Sequence, residues 1–61
     1  MRGIVSEFQD GRGIIKPRDG GDDVRFSWPA ILTADKSLAV ADEVDYEVDT
    51  SGEATVVFKV H

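Results

Sequence analysis

The chain has 61 residues, no cysteine, and 12 acidic against 7 basic side chains, for a net charge of −5. That length suits one domain spanning residues 1–61, which buries only about 60% of its unfolded surface. Without cysteine there is no disulfide and no cysteine-based zinc or iron–sulfur centre, and the acidic total alone argues against a phosphate-rich partner, which needs Lys and Arg.

The predicted elements are strands. "GIVSEF" is short and β-rich, and the Asp10-Gly11 step after it signals a tight hairpin, because Gly11 tolerates positive φ. "RGIIKP" reads as the second strand, closed by Pro17, which cannot donate to a ladder. "RDGGDD" is a turn cluster, and "VRFSW" is a third strand with Val24 and Phe26 facing opposite to Arg25 and Ser27. Pro29 is placed to open a short helical turn that holds Ile31 and Leu32 inward. The rest of "PAILTADKSLAVADE" shows no clean alternation and leaves room for one or two helical turns.

"EVDYEVDT" alternates Val44, Tyr46 and Val48 with Glu43, Asp45, Glu47 and Asp49, as a half-buried strand does. "ATVVFKV" is the last strand, expected to turn Ala54, Val56, Phe58 and Val60 to one face and Thr55, Val57 and Lys59 to the other. Five short strands with one long connection suggest an all-β, five-stranded antiparallel barrel, of OB or SH3-like type. Closure would remove the exposed edges of an open sheet.

Charge is unevenly spread. Residues 1–30 carry five basic and five acidic groups, whereas residues 31–61 carry two basic and seven acidic ones. The whole deficit therefore sits in the second half, where it can serve solubility and a monomeric state. No apolar run approaches the roughly 20 residues of a membrane span. "MRGIVSEF" lacks the long apolar core of a signal peptide. A soluble, cytoplasmic protein without a membrane partner is expected.

Catalysis is not expected. There is no cysteine nucleophile, the single histidine is His61, and no serine has an evident base partner. Asp19, Asp22 and Asp23 lack the spacing of a calcium loop, so no metal is expected. Gly20-Gly21 precedes no helix, so it is not a phosphate cradle, and no cofactor is implied.

The order of motifs resembles the bacterial cold-shock domain, an OB-fold that binds single-stranded RNA and DNA. The family pattern runs G-x-V-K-W-F-N, a turn, K-G-F-G-F-I, x-P, a Gly/Asp loop, and D-V-F-V-H-F-S-A-I. This chain has "GIVSEFQ", "GRGII", "KP", "RDGGD" and "DVRFSWPAI" in that order, and "SLAVADEVDYEV" resembles the segment leading into the fourth strand. The resemblance covers residues 3–48. It implies that Val5, Ile15, Val24, Ile31 and Val44 fill the core, with Phe26 in an inward position usually held by an aliphatic. Simple alternation puts Val5 and Glu7 on one face, where the resemblance needs them opposed; a β-bulge would reconcile the two.

The family presents aromatic rings on an outer face, on which bases stack at about 1–3 kcal/mol each. Here that platform is depleted. Its tryptophan position is Glu7, its second-strand phenylalanines are Arg12 and Ile14, its third-strand phenylalanine and histidine are Arg25 and Ser27, and a lysine is Ser6. Phe8 and Trp28 keep rings. The resemblance implies a non-catalytic single-stranded nucleic-acid binder with weakened or altered binding, carried by Phe8, Arg12, Ile14, Lys16, Arg25, Ser27 and Trp28. Arginine planes can stack on bases and pair with phosphates. The bland alternative is that Arg12 and Arg25 pair with Glu7 and Asp10 as a solvated surface. A further alternative is a protein-interaction module on the same scaffold, using Trp28 or the acidic strand residues Asp45, Glu47 and Asp49.

Overall fold

The computed structural model describes residues 1–32 and 38–60. Its strands are β1 (Arg2–Gln9), β2 (Arg12–Pro17), β3 (Val24–Ser27), β4 (Glu43–Val48) and β5 (Ala54–Lys59). They form one five-stranded antiparallel sheet in the order β3-β2-β1-β4-β5. Asp10 and Gly11 both take positive φ, 55° and 76°, which is the backbone a two-residue hairpin between β1 and β2 requires.

Register explains which side chains are inside. Val5, Ile15 and Val24 lie on one rung across β1, β2 and β3, and all are buried. Phe8, Gly13 and Phe26 form the next inward rung. Phe26 is buried, and its ring lies over Gly13, where a β-carbon would collide with it and would stand 2.7 Å from the Glu7 carbonyl oxygen. The larger residue at position 26 is thus accommodated by the smallest possible neighbour. Tyr46 repeats the device over Gly3, whose added β-carbon would meet the tyrosine ring at 3.2 Å.

Between these rungs β1 carries the bulge that the resemblance required. Val5 pairs with Ile15 and Glu7 with Ile14, so Ser6 is the extra residue. Its hydroxyl donates to the Ile14 carbonyl at 3.3 Å. Val5 therefore points inward and Glu7 outward.

Two expectations are corrected. A second irregularity, opposite Glu47 and Val48, switches the parity of β5, so Ala54 and Val57 are buried while Phe58 is 41% exposed. Strict alternation puts Phe58 on the face of Ala54 and Val57 opposite; the extra residue flips every side chain after it. After β3, a 3-10 turn spans Trp28–Ala30 with Pro29 in its first turn, and it buries Ala30 and Ile31, whereas Leu32 is 61% exposed. The turn ends at Ile31, whose extended backbone sends Leu32 outward. The helical turns expected later in this connection fall partly on residues 33–37, outside the described residues, as does His61.

The hydrogen-bonded sheet is open. Strands β3 and β5 stand at its two ends, and one parallel bridge, Ile31 to Val57, spans the gap, with the Leu32 amide donating to Val57 at 2.7 Å. The Trp28-Pro29 turn ends β3 after four residues, and proline offers no amide to extend it. Among the described residues, no helix is long and apolar enough to cross a membrane.

Residues 38–42 pin the middle of β1: the Val5 amide donates to Asp42 and the Ala41 amide to Val5, at 2.9 and 2.8 Å. Ala41 pays a backbone cost there, with φ of 81°. Gly13→Ala is expected to lower unfolding free energy by about 1–3 kcal/mol, since the ring and the Glu7 carbonyl must both yield. Ala41→Gly is expected to raise it by up to about 1 kcal/mol by relieving the left-handed backbone. Urea midpoints of the two variants check both signs.

Candidate nucleic-acid interface

The outward rungs of β1–β3 alternate with the core rungs. Glu7, Ile14 and Arg25 form one, and Gln9, Arg12 and Ser27 form the next. Lys16, paired with Ile4, belongs to the same outer face one rung below. Arg12, Lys16, Arg25 and Glu7 are exposed, and Ile14 and Ser27 are half-buried. Of the residues predicted for binding, Arg12, Ile14, Lys16, Arg25 and Ser27 are therefore on one face.

The two aromatic residues predicted for binding behave differently. Phe8 sits on an inward rung and stacks on Phe26, with centroids 5.8 Å apart and planes 13° apart. It is partly buried against the core and contributes to the lining of the concavity described below. Trp28 is 56% exposed; its amide donates to the Gly11 carbonyl at 2.7 Å, and its side chain lies beside the hairpin turn. In the sequence Glu7 stands at the tryptophan position of the resemblance and is offered as a pairing partner for Arg12 and Arg25, a pairing absent among the described residues. Its place between the basic residues follows from the Ser6 bulge, which alternation alone does not reveal.

A broad, open concavity of about 1060 Å³ runs over this region. Glu7, Phe8, Arg12, Ile14, Arg25 and Ser27 line it, with Val40 and Glu53 contributed by the two loops that flank β4. Lys16 and Trp28 lie outside it.

Ion pairing separates the basic residues into two groups. Arg2 holds Asp45 in a two-pronged contact at 3.0 and 3.3 Å, Arg18 pairs with Glu43, and Lys59 pairs with Asp42 at 3.5 Å. The Arg2 guanidinium holds the Asp45 carboxyl below its ordinary range. Arg12, Lys16 and Arg25 form no ion pair among the described residues, with Glu7 and Asp10 or with any other carboxylate. The outer face keeps its cations available, while carboxylates of β4 and its approach are partly neutralised.

The β4–β5 loop that brings Glu53 to the concavity is shaped by Asp49. One Asp49 carboxylate oxygen accepts from the Ser51 hydroxyl at 2.6 Å and from the Ser51 and Glu53 amides at 2.8 and 3.2 Å. Gly52 completes the turn with φ of 86°. The Ser51 hydroxyl, then the backbone donors, hold the Asp49 carboxyl below its ordinary range. Among the described residues no group of His, Cys, Asp and Glu is arranged to hold a metal ion.

No protein-family model matches the chain, and no curated protein matches it.

Because the folded Asp49 has the lower pKa, its contribution is present above the unfolded carboxylate value and is lost as pH falls through the folded one. Asp49→Ala should therefore lower the thermal midpoint near neutrality. The gap to the parent should close in acid, which paired melts at the two pH values check.

Proposed function

We propose that the chain is a cold-shock-like, OB-type barrel that binds single-stranded RNA or DNA without catalysis, through an arginine-rich face in place of an aromatic one. The observation that carries this reading is the segregation of charge: three cations without an ion pair among the described residues share one sheet face, although the chain is acidic overall. A locally basic face can follow phosphates whatever the net charge. The barrel is supported by the strand order, in which β1 lies between β2 and β4, and by the bridge between the β3 and β5 ends. Trp28 supplies the exposed stacking surface, Phe8 being stacked on Phe26 against the core. With fewer rings than its resemblance implies, the protein binds more weakly and more by charge.

The protein-interaction reading loses part of its acidic surface. Asp45 is held by Arg2, and Asp49 is occupied by its own turn.

The test is a titration with a labelled single-stranded oligonucleotide across salt concentrations, following Trp28 emission. Binding should weaken with salt at a slope of about 0.7 per phosphate contacted. Arg12→Ala together with Arg25→Ala should reduce that slope by at least about 0.7, the share of one phosphate contact. An unchanged slope in the double variant would sink the assignment of the face.

A further inference from the structure

Three carboxylates border the concavity: Asp10 in the hairpin turn, Glu53 in the β4–β5 loop, and Glu7, which alone of the three stands on an outward rung of the sheet, where a purely phosphate-binding surface does not want it. Glu7 stands on the same rung as Ile14 and Arg25, in the concavity, and its carboxylate has no partner among the described residues. A carboxylate there repels phosphate. Toward a single strand it is useful to a group that donates hydrogen bonds: the amino and imino groups of the bases and, in RNA, the ribose 2′-hydroxyls, of which only the base donors differ from one nucleotide to the next.

We propose that this rung selects guanine within a single strand, the base lying over Ile14 between Glu7 and Arg25. The inference rests on the single-strand reading above and names the base it prefers. Neighbouring strands are about 4.8 Å apart, so the Glu7 and Arg25 backbones flank Ile14 across roughly 10 Å. Both side chains are long enough to reach in over that apolar floor. Guanine matches them chemically. Its N1–H and N2 amino group donate side by side, as a carboxylate accepts, and its O6 and N7 accept side by side, as a guanidinium donates. Adenine and cytosine would each turn a ring-nitrogen acceptor toward the carboxylate beside their amino group. Uracil has one N–H between two carbonyl acceptors. Arg12, on the next outward rung about 7 Å along the strand, is placed for an adjoining phosphate.

The bulge at Ser6 makes this arrangement. Without the extra residue, Glu7 would share the face of Val5, and the carboxylate would not meet Arg25 across Ile14.

The experiment compares short labelled uridine-rich strands that differ at one central position: guanosine, inosine, adenosine, cytidine or uridine. The guanosine strand should bind about tenfold tighter than the uridine strand. Inosine, which lacks the N2 amino group, should fall between them. Glu7→Gln should abolish the preference while keeping the salt dependence, with an unchanged urea midpoint showing that the exposed substitution leaves the fold intact. Equal, salt-sensitive binding of all five strands would overturn guanine selection and leave the single-strand reading standing. No binding of any strand at low salt would overturn both. Guanosine monophosphate competing as well as the guanosine strand would overturn the placement of the base within a strand.

Discussion

The fold turns on the contact between Phe26 and Gly13. A phenylalanine on β3 fills the core only because β2 offers no side chain beneath it, and Phe8 then stacks on the same ring from β1. Three strands are tied by one inward rung. Gly13 lies between Arg12 and Ile14, so the packing that sets the core also sets where the outer face stands. The Tyr46 ring over Gly3 does the same at the junction of β1 and β4. In a chain this small, with no disulfide, such close backbone–ring contacts must replace core volume.

Backbone irregularities divide the surface chemically. The Ser6 bulge sends Val5 to the core and Glu7 to the face beside Arg25. The irregularity opposite Val48 turns Val57 inward and leaves Phe58 outside. Meanwhile Asp42, Glu43 and Asp45 draw in Lys59, Arg18 and Arg2, away from the β1–β3 face. Exposed ion pairs of this kind add little stability. Among the described residues, Arg12, Lys16 and Arg25 are left without an ion pair. Net charge therefore conceals a sheet face whose charge differs from that of the chain as a whole.

A surface of arginines and one glutamate differs in kind from a row of rings. Rings accept every base, because every base has a π-face. Guanidinium and carboxylate groups read hydrogen-bond patterns and are sensitive to salt.

Local physics in the sequence determined the strands and most of their faces. Asp10-Gly11 set the first hairpin, Pro29 the turn after β3, and the alternation of "EVDYEV" the inward Val44 and Tyr46. Arg12, Ile14, Lys16, Arg25 and Ser27 were legible as one outer face because they lie on regular stretches of β2 and β3. Only the tertiary structure decided the rest. Alternation has a period of two and carries no mark of an extra residue, so the orientations of Glu7, Val57 and Phe58 waited on the pairing of each strand with its neighbour. Phe8 joined Phe26 for the same reason. Which cations were left unpaired was likewise undecided, since Arg2 meets Asp45 and Arg18 meets Glu43 across 43 and 25 residues of chain. Contacts that distant arise from folding, and no short stretch of sequence contains them.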